Sequence, residues 1–140
     1  DLQLGELFSQ MEISCEDSKV CGTSVYDGGP VQRERGFIIH RPTSDWECGI
    51  EVNDEIGVST SRECLAAIAA GTGEQEMFVA LGYAGWGSGQ LENEIADNAW
   101  LNGPAALNII LEMPAEQRWR ASAELLGVDV ASISPQAGHA

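Results

Sequence analysis

The sequence predicts an α+β fold in a single domain. Its 140 residues are enough to build one hydrophobic core. Asn53 and Asp54 separate two short strand-like runs, 49–52 and 55–58, which is a strong hairpin signal. Helical patterns with their own start and stop signals lie apart from this hairpin. Because hairpins mix with separated helices, the element order fits α+β better than a regular βαβ repeat.

The first predicted element is a short amphipathic helix. Asp1 is placed to cap it, and its apolar face has helical spacing: Leu4, Leu7, Phe8 and Met11. Gly5 lowers the stability of such a helix by about 0.5–1 kcal/mol relative to alanine. The stability of this helix must therefore come from packing of its apolar face against the rest of the protein. The polar residues 14–23 are predicted to form a loop.

A strand, two turns and a further strand are predicted next. Residues 24–27 form a short strand that enters the turn 28–30, where glycine can take positive φ and proline fixes the next φ. Residues 33–36 predict a second turn, and 37–40 a strand that ends before Pro42. Trp46 is predicted to cover the edge of the hairpin that follows.

An alanine-rich helix is predicted at 61–70. Thr60 and Glu63 have the spacing of a capping box, in which each satisfies the other's backbone N–H. Gly71 suits the position just after the helix.

The centre of the chain predicts a strand, a glycine-rich elbow and a helix. The apolar run 77–81 has the length of a buried strand. The elbow, residues 82–89, contains Gly82, Gly85, Gly87 and Gly89. A helical pattern then starts near Gln90, with Leu91, Ile95 and Ala99 on one face and Trp100 and Leu101 beside them, and it stops at Gly103 and Pro104.

The last third predicts a strand at 107–111 and a helix that begins after Pro114. The inward face predicted for this helix consists of Ala115, Trp119, Ala123 and Leu126, with Gly127 as its C-terminal cap. A further strand is a candidate at 128–133.

The charge composition argues against nucleic acid and membrane partners. Seven Lys and Arg against 22 Asp and Glu give a net charge of −15, which repels phosphate backbones and anionic lipid. No apolar run approaches the ~18–20 residues of a membrane span. The one cationic cluster consists of Arg33, Arg35, His40 and Arg41. We expect it to pair with acidic side chains rather than to bind an anion.

The cysteines and histidines predict no metal and no cofactor. Cys15, Cys21, Cys48 and Cys64 include no C-x-x-C pair, and only His40 and His139 could join them. The spacing of Cys15 and Cys21 allows a disulfide between them but does not require one. Reduced thiols in a cytoplasmic protein are the expectation.

No reaction class emerges from the sequence, so a non-enzymatic protein is favoured. Only His40 is placed to act as a base, and Gly87-Ser88-Gly89 lacks the residues around a nucleophilic serine. Glu94 and Asp97 share a helix face, where two carboxylates are usually just solvated. A phosphate loop is disfavoured because no Lys or Arg lies between Met77 and Glu112.

Three segments carry a family resemblance. LGYAGWGSGQLENEIADNAWL (81–101), GGPVQRERGFIIH (28–40) and the terminal AGHA (137–140) resemble the AlgH/YqgE family of bacterial proteins, which has no established biochemical activity. The resemblance implies a bifurcated mixed sheet folded into a pseudo-barrel with helices outside. It also implies preceding strands, one H-F-L-I-A-M-P-like and one G-x-x-x-N-R-P-like, and neither is in this sequence.

The leading hypothesis is a non-catalytic binding or regulatory protein. Its predicted site is a groove at the elbow, formed by Gly28, Gly29, Pro30, His40, Tyr83 and Trp86. Its partner would be a protein or a small molecule. The resemblance also implies an alternative, a transcriptional regulator of the AlgH type. Because the chain is acidic, such a regulator would act without binding DNA directly. An enzyme with a site that includes His40 and Glu92 or Asp97 is a third alternative.

Overall fold

The computed structural model describes residues 2–42, 49–71, 76–129 and 131, and the α+β class is confirmed. The chain divides into two compact units, Asp1–Ala84 and Gly85–Ala140. The described elements of the first unit are α1 (Leu4–Gln10), α2 (Ser18–Cys21), β1 (Val25–Asp27), β2 (Val31–His40), β3 (Gly49–Glu51), β4 (Gly57–Ser59), α3 (Arg62–Ala69) and β5 (Met77–Tyr83). Those of the second are α4 (Gln90–Ala96), a π-helix (Asn108–Glu112) and α5 (Ala115–Leu125). The single domain stays a prediction.

The first unit is built on a five-stranded mixed sheet with the order β1-β5-β2-β4-β3. β1 pairs with β5 in parallel, and the other neighbours pair antiparallel. Among the described strands, β1 and β3 are therefore the edge strands, and the start of β1 is covered because the Val25 N–H donates to the Leu2 carbonyl at 2.8 Å. The described sheet does not close into the pseudo-barrel that the resemblance implies.

Strand β2 is longer than the sequence predicted. The expected turn at 33–36 lies inside this strand, because the strand continues through a register shift instead of ending. Val31 pairs with Tyr83, and the next registered pair is Gly36 with Leu81. Five steps along β2 thus match two along β5, which is an irregularity of the β-bulge kind.

The predicted hairpin is confirmed, but its turn is longer. Glu51 lies opposite Gly57, so residues 52–56 connect the strands instead of two residues. The Asn53 side chain organises this connection, since its Oδ1 accepts from the backbone N–H groups of Glu55 and Ile56, both at 2.8 Å. Trp46 lies outside the described residues.

The core of the first unit lies where α1 and α3 pack on the sheet. Its buried members are Leu4, Leu7, Phe8, Ile38, Cys64, Leu65, Ile68, Ala69 and Val79. Three of the four predicted apolar positions of α1 are among them. The structure also explains the glycine in α1, because a Cβ at Gly5 would lie 3.1 Å from both the Cβ and the carbonyl oxygen of Cys21.

Each of the three helix starts in the first unit differs from its prediction. The N-cap of α1 is Gln3, whose N–H donates to the Glu6 carboxylate at 2.9 Å, and Asp1 lies outside the described residues. The loop predicted at 14–23 contains α2, which Asp17 caps by accepting from the Lys19 N–H at 2.9 Å. α3 is capped by Ser61, which accepts from the Cys64 N–H at 3.1 Å, one residue later than predicted.

Cys15 and Cys21 form a disulfide that joins the two ends of the segment containing α2. The expectation of reduced thiols is therefore wrong for this pair. Cys64 is buried in the core, where its sulfur accepts a hydrogen bond from the Ser61 hydroxyl at 3.0 Å.

The second unit departs furthest from the sequence prediction. α4 ends at Ala96, well before Gly103, and Asn98 has a positive φ of 59°. The apolar run predicted as a strand at 107–111 forms the π-helix, because such a short run fits a helix as well as a strand.

Helix α5 follows Pro114 as predicted, but its buried face is narrower. Ala123 is buried, whereas the Trp119 side chain is 62% exposed. Val128 and Asp129 are not in a strand, and most of the candidate strand lies outside the described residues. None of the described helices is long and apolar enough to cross a membrane.

Candidate functional site

The predicted turn and the start of the elbow form one tightly packed feature. The Gly28 N–H donates to the Leu81 carbonyl at 2.7 Å. A Cβ at Gly29 would collide with the Tyr83 carbonyl group, and one at Gly82 would collide with the Gly29 carbonyl oxygen. Two backbone segments therefore cross at a distance that only glycine permits.

This crossing brings together part of the predicted site. Gly28 and Gly29 lie against Gly82 and Tyr83, and Pro30 follows them in the same turn. The Tyr83 ring packs edge-to-face on Phe37, with ring centroids 5.8 Å apart. The two family-like segments meet here, so the close crossing requires the glycines of both segments.

A cavity of about 390 Å³ lies beside the turn. Its lining residues come from the first residues of the chain and from β1, β2 and β5: Leu2, Val25, Tyr26, Asp27, Arg33 and Leu81. Arg33 Nη2 lies 3.1 Å from Asp27 Oδ2, and both side chains are about two-thirds exposed, at 70% and 67%. The other Asp27 oxygen accepts from the Gly29 N–H at 3.1 Å. The Asp27 carboxylate thus stabilises the turn through Gly29 and pairs with the Arg33 guanidinium on the cavity wall.

The sequence did not single out Tyr26 or Asp27. An aspartate directly before Gly-Gly is a signal for a side-chain-capped turn, and that signal could have located Asp27. Nothing local could have located Tyr26, because its place in the cavity follows from the parallel pairing of β1 with β5.

Two of the four members of the cationic cluster pair with acids, as expected. Arg33 pairs with Asp27, and Arg41 pairs with Glu76. Arg35 lies over the Phe37 ring, with its guanidinium carbon 5.3 Å from the centroid.

His40 lies away from the turn, near the other end of the strand pair. It is in register with Met77, whereas Val31 is in register with Tyr83. Six residues of β5 separate these positions, which is about 20 Å at ~3.3 Å per residue. The structure therefore does not bring His40 to the predicted groove.

His40 instead forms a buried pair with Ser59. Its Nε2 is hydrogen-bonded to the Ser59 Oγ at 2.8 Å, and its Nδ1 contacts the Arg41 carbonyl. A serine beside an oriented imidazole resembles a nucleophile and its base. However, His40 is only 3% exposed and Ser59 is 0% exposed, so both side chains are shielded from solvent. The pair stabilises the contact between β2 and β4.

Trp86 belongs to the second unit, where it is part of a hydrogen-bonded cluster that we call the elbow clasp. Its members are Trp86, Gln90, Glu94 and Trp100. Glu94 Oε2 accepts from the indole N–H of Trp86 at 3.1 Å and from that of Trp100 at 2.7 Å. Glu94 Oε1 accepts from the Gln90 amide at 2.9 Å. The Gln90 Oε1 accepts from the Gly87 N–H at 3.0 Å, which ties the elbow to α4.

The clasp corrects two sequence interpretations. Trp100 does not lie on the inner face of a long helix; it is half-buried beyond the end of α4 and packs edge-to-face on Trp86. Glu94 accepts hydrogen bonds from two indoles and an amide, so it is not simply solvated as its helix face predicted. Across the described part of the chain, no group of three or more His, Cys, Asp or Glu side chains could hold a metal ion.

The hydrogen bonds of the clasp stabilise the ionised form of Glu94. The bonds from Trp100, Gln90 and Trp86 lower the pKa of its carboxyl group, in that order of effect. The clasp is therefore anchored by a carboxylate that stays charged at neutral pH.

We expect the clasp to open in acid. Because the pKa of Glu94 is lower in the folded than in the unfolded chain, its contribution to stability is complete above the unfolded value, about 4.3. That contribution is lost as the pH falls through the folded value. The indole N–H signals of Trp86 and Trp100 in ¹H–¹⁵N spectra should stay constant above pH ~5 and move together below it. Glu94→Gln should abolish this change, whereas Glu92→Gln on the same helix should retain it. Unchanged titration in Glu94→Gln would assign the effect to another acid.

The five-stranded mixed sheet with its packed helices and glycine crossing defines a protein of the α+β class. The sequence pattern of the AlgH-like family matches residues 1–131. A UPF0301 protein of Thioalkalivibrio sulfidiphilus is 49% identical over 140 residues, which cover 100% of this chain and 75% of that protein. The chain therefore belongs to the AlgH-like family.

Two solved structures have a similar fold. The solution structure of the AlgH protein from Pseudomonas aeruginosa is 42% identical, with a TM-score of 0.76, over 99% of this chain and 74% of that one. A crystal structure of protein DIP2367 from Corynebacterium diphtheriae is 17% identical, with a TM-score of 0.61, over 85% of this chain and 63% of that one. The second comparison concerns the fold alone.

Proposed function

We propose that this protein is a non-catalytic binding or regulatory protein and that a small ligand enters the cavity beside the 28–30 turn. The observation that carries the proposal is the exposed Asp27–Arg33 ion pair on the wall of that cavity. Its volume of about 390 Å³ falls within the ~300–1,000 Å³ of small-molecule sites.

The lining defines the chemistry of the ligand. Arg33 is held by a single, exposed carboxylate, so an incoming anion can compete for its remaining N–H donors. Leu2, Val25 and Leu81 supply apolar walls. A compact molecule with a carboxylate or phosphate at one end and an apolar body fits these groups.

The state of His40 supports a role in binding rather than in catalysis. General-base or nucleophilic chemistry needs the base within reach of a bound substrate. His40 and Ser59 are buried at the far end of the strand pair, away from the cavity.

The charge of the chain supports an indirect route for any regulatory role. Direct DNA binders neutralise several phosphates with Lys and Arg, and this chain has seven such residues at a net charge of −15. We propose that an effect on transcription would run through the bound ligand or a protein partner.

Pools of small carboxylates and phosphates should include a ligand that shifts the Gly28, Gly29 and Gly82 amides in ¹H–¹⁵N spectra. Arg33→Gln should weaken that ligand at least about tenfold, because the guanidinium supplies its charged contact. Arg120→Gln is the charge-matched control and should bind it normally, since Arg120 is exposed on α5 in the second unit.

Two results would contradict the proposal. One is the absence of any shift with every pool at millimolar concentration. The other is a ligand that binds Arg33→Gln as tightly as the unchanged chain, because the cation of the cavity would then play no part.

A further inference from the structure

We propose that the elbow clasp is a second binding site, one that takes a weakly hydrated organic cation such as a quaternary ammonium or a guanidinium group. This site lies wholly in the second unit and does not depend on the ligand proposed for the cavity. Its components are two indole rings and one fixed carboxylate.

The two indoles pack edge to face, and part of the Trp86 ring is open to solvent. Their ring centroids lie 5.9 Å apart and their planes meet at 70°. Trp86 is 37% exposed, and Trp100 is half-buried. The face of an aromatic ring carries negative charge density and attracts cations, and tryptophan does so most strongly. A cation can therefore contact the exposed part of the Trp86 ring while its other side stays in water.

Glu94 places a full negative charge at the point where both indole edges meet. A carboxylate has about four lone-pair sites, and hydrogen bonds from Trp86, Trp100 and Gln90 occupy three of them, the only three that the described residues fill. Because those bonds hold the carboxylate in place and ionised, it needs no rearrangement to receive a cation. Donation of both N–H groups to an anion also polarises the indoles and increases the negative charge on their faces.

The properties of the site select among cations. Guanidinium and quaternary ammonium groups are weakly hydrated, so they lose little on leaving water for an aromatic surface. A lysine ammonium is strongly hydrated and loses more. The net charge of −15 raises the local concentration of any cation.

The first experiment compares choline with its uncharged isostere 3,3-dimethylbutanol at constant ionic strength. The indole N–H signals of Trp86 and Trp100 should shift saturably with choline, with a Kd on the order of 1–10 mM for an exposed site. The isostere should bind at least about fivefold more weakly. The Trp119 signal is the internal control, since that ring is 62% exposed in the same unit. Equal shifts with both compounds, or none with choline at ~100 mM, would overturn the proposal.

The second experiment removes the charge but keeps the shape. Glu94→Gln retains an oxygen that accepts from the indoles, so choline should bind at least about tenfold more weakly to a folded protein. Glu92→Gln is the matched control and should bind choline normally. If Glu94→Gln fails to fold, Trp86→Leu removes the exposed ring, leaves the Trp100–Glu94 bond and should show the same loss. Normal choline binding by whichever variant folds would overturn the proposal.

The source of the cation is resolved by a third titration. N-acetyl-arginine amide represents a side chain of a protein partner, and choline represents a free quaternary ammonium compound. Tighter binding of the arginine derivative would assign the site to a partner protein, and tighter binding of choline to a small molecule. Binding of neither would overturn the proposal.

Discussion

Gly82→Ala is expected to lower the free energy of unfolding by about 2–5 kcal/mol. Gly82 has a φ of 77°, where an L-residue costs about 1–2 kcal/mol. The added methyl group would also collide with the Gly29 carbonyl oxygen and lie 3.1 Å from that of Val31. Both obstacles are backbone atoms, so the crossing itself must open, and overpacking of this kind costs about 1–3 kcal/mol.

Two other glycines of the elbow provide graded controls. Gly87→Ala should change stability by less than about 0.5 kcal/mol, since the nearest atom to its added Cβ is the Gln90 Oε1 at 3.6 Å. Gly89→Ala should cost about 1–2 kcal/mol from strain alone, because its φ is 76° with no atom within 4 Å. Urea unfolding followed by circular dichroism measures all three. Losses at Gly82 no larger than those at Gly89 would show that the close backbone crossing contributes little.

The elbow illustrates what a sequence can and cannot predict. Four glycines in eight residues predicted a sharp turn of the chain, and that inference needed only local information. Which glycine is essential depends on the segment that lies against it. Gly82 faces the Gly29 carbonyl across β5 and the 28–30 turn, and that approach is fixed by a strand pairing between residues some fifty positions apart.

Apolar periodicity predicted the buried face of α1 correctly, but it did not do so for every element. The apolar spacing of α1 identified Leu4, Leu7 and Phe8 as buried, since one helix face must pack on something. The run at 107–111 has no period to separate helix from strand, and it formed the π-helix Asn108–Glu112. Trp119 was placed inward by its spacing, yet only Ala123 of that face is buried.

The sequence named positions of the candidate sites only where local chemistry marks them. The 28–30 turn and Tyr83 came from glycine chemistry and family-like segments. Asp27 and Arg33 meet because an irregularity in β2 shifts its register against β5. The clasp was missed because Glu94 was considered with Asp97, its neighbour on the helix, whereas its partners are the indoles of Trp86 and Trp100.

Phe8→Ala is expected to lower the free energy of unfolding by about 3–5 kcal/mol. The Phe8 side chain is 0% exposed and belongs to the cluster that joins α1 and α3 to Ile38 and Val79 of the sheet. Its removal leaves a cavity where two helices and two strands meet, and the close packing allows little collapse. Against a typical total of about 5–15 kcal/mol, the first unit should be largely unfolded at moderate urea concentration.

Phe37→Ala is the matched control, because it removes the same side chain from a half-buried position on β2. It should cost less than half as much as Phe8→Ala, since the lost burial and the cavity are both smaller. Phe8→Leu keeps most of the volume and should cost less than about 1.5 kcal/mol, so it stays measurable if the alanine variant does not fold. Urea midpoints at constant m-value compare the three. Equal losses for Phe8→Ala and Phe37→Ala would mean that docking of α1 contributes little beyond an ordinary surface contact. The helix, weakened by Gly5 and only seven residues long, would then need another source of stability.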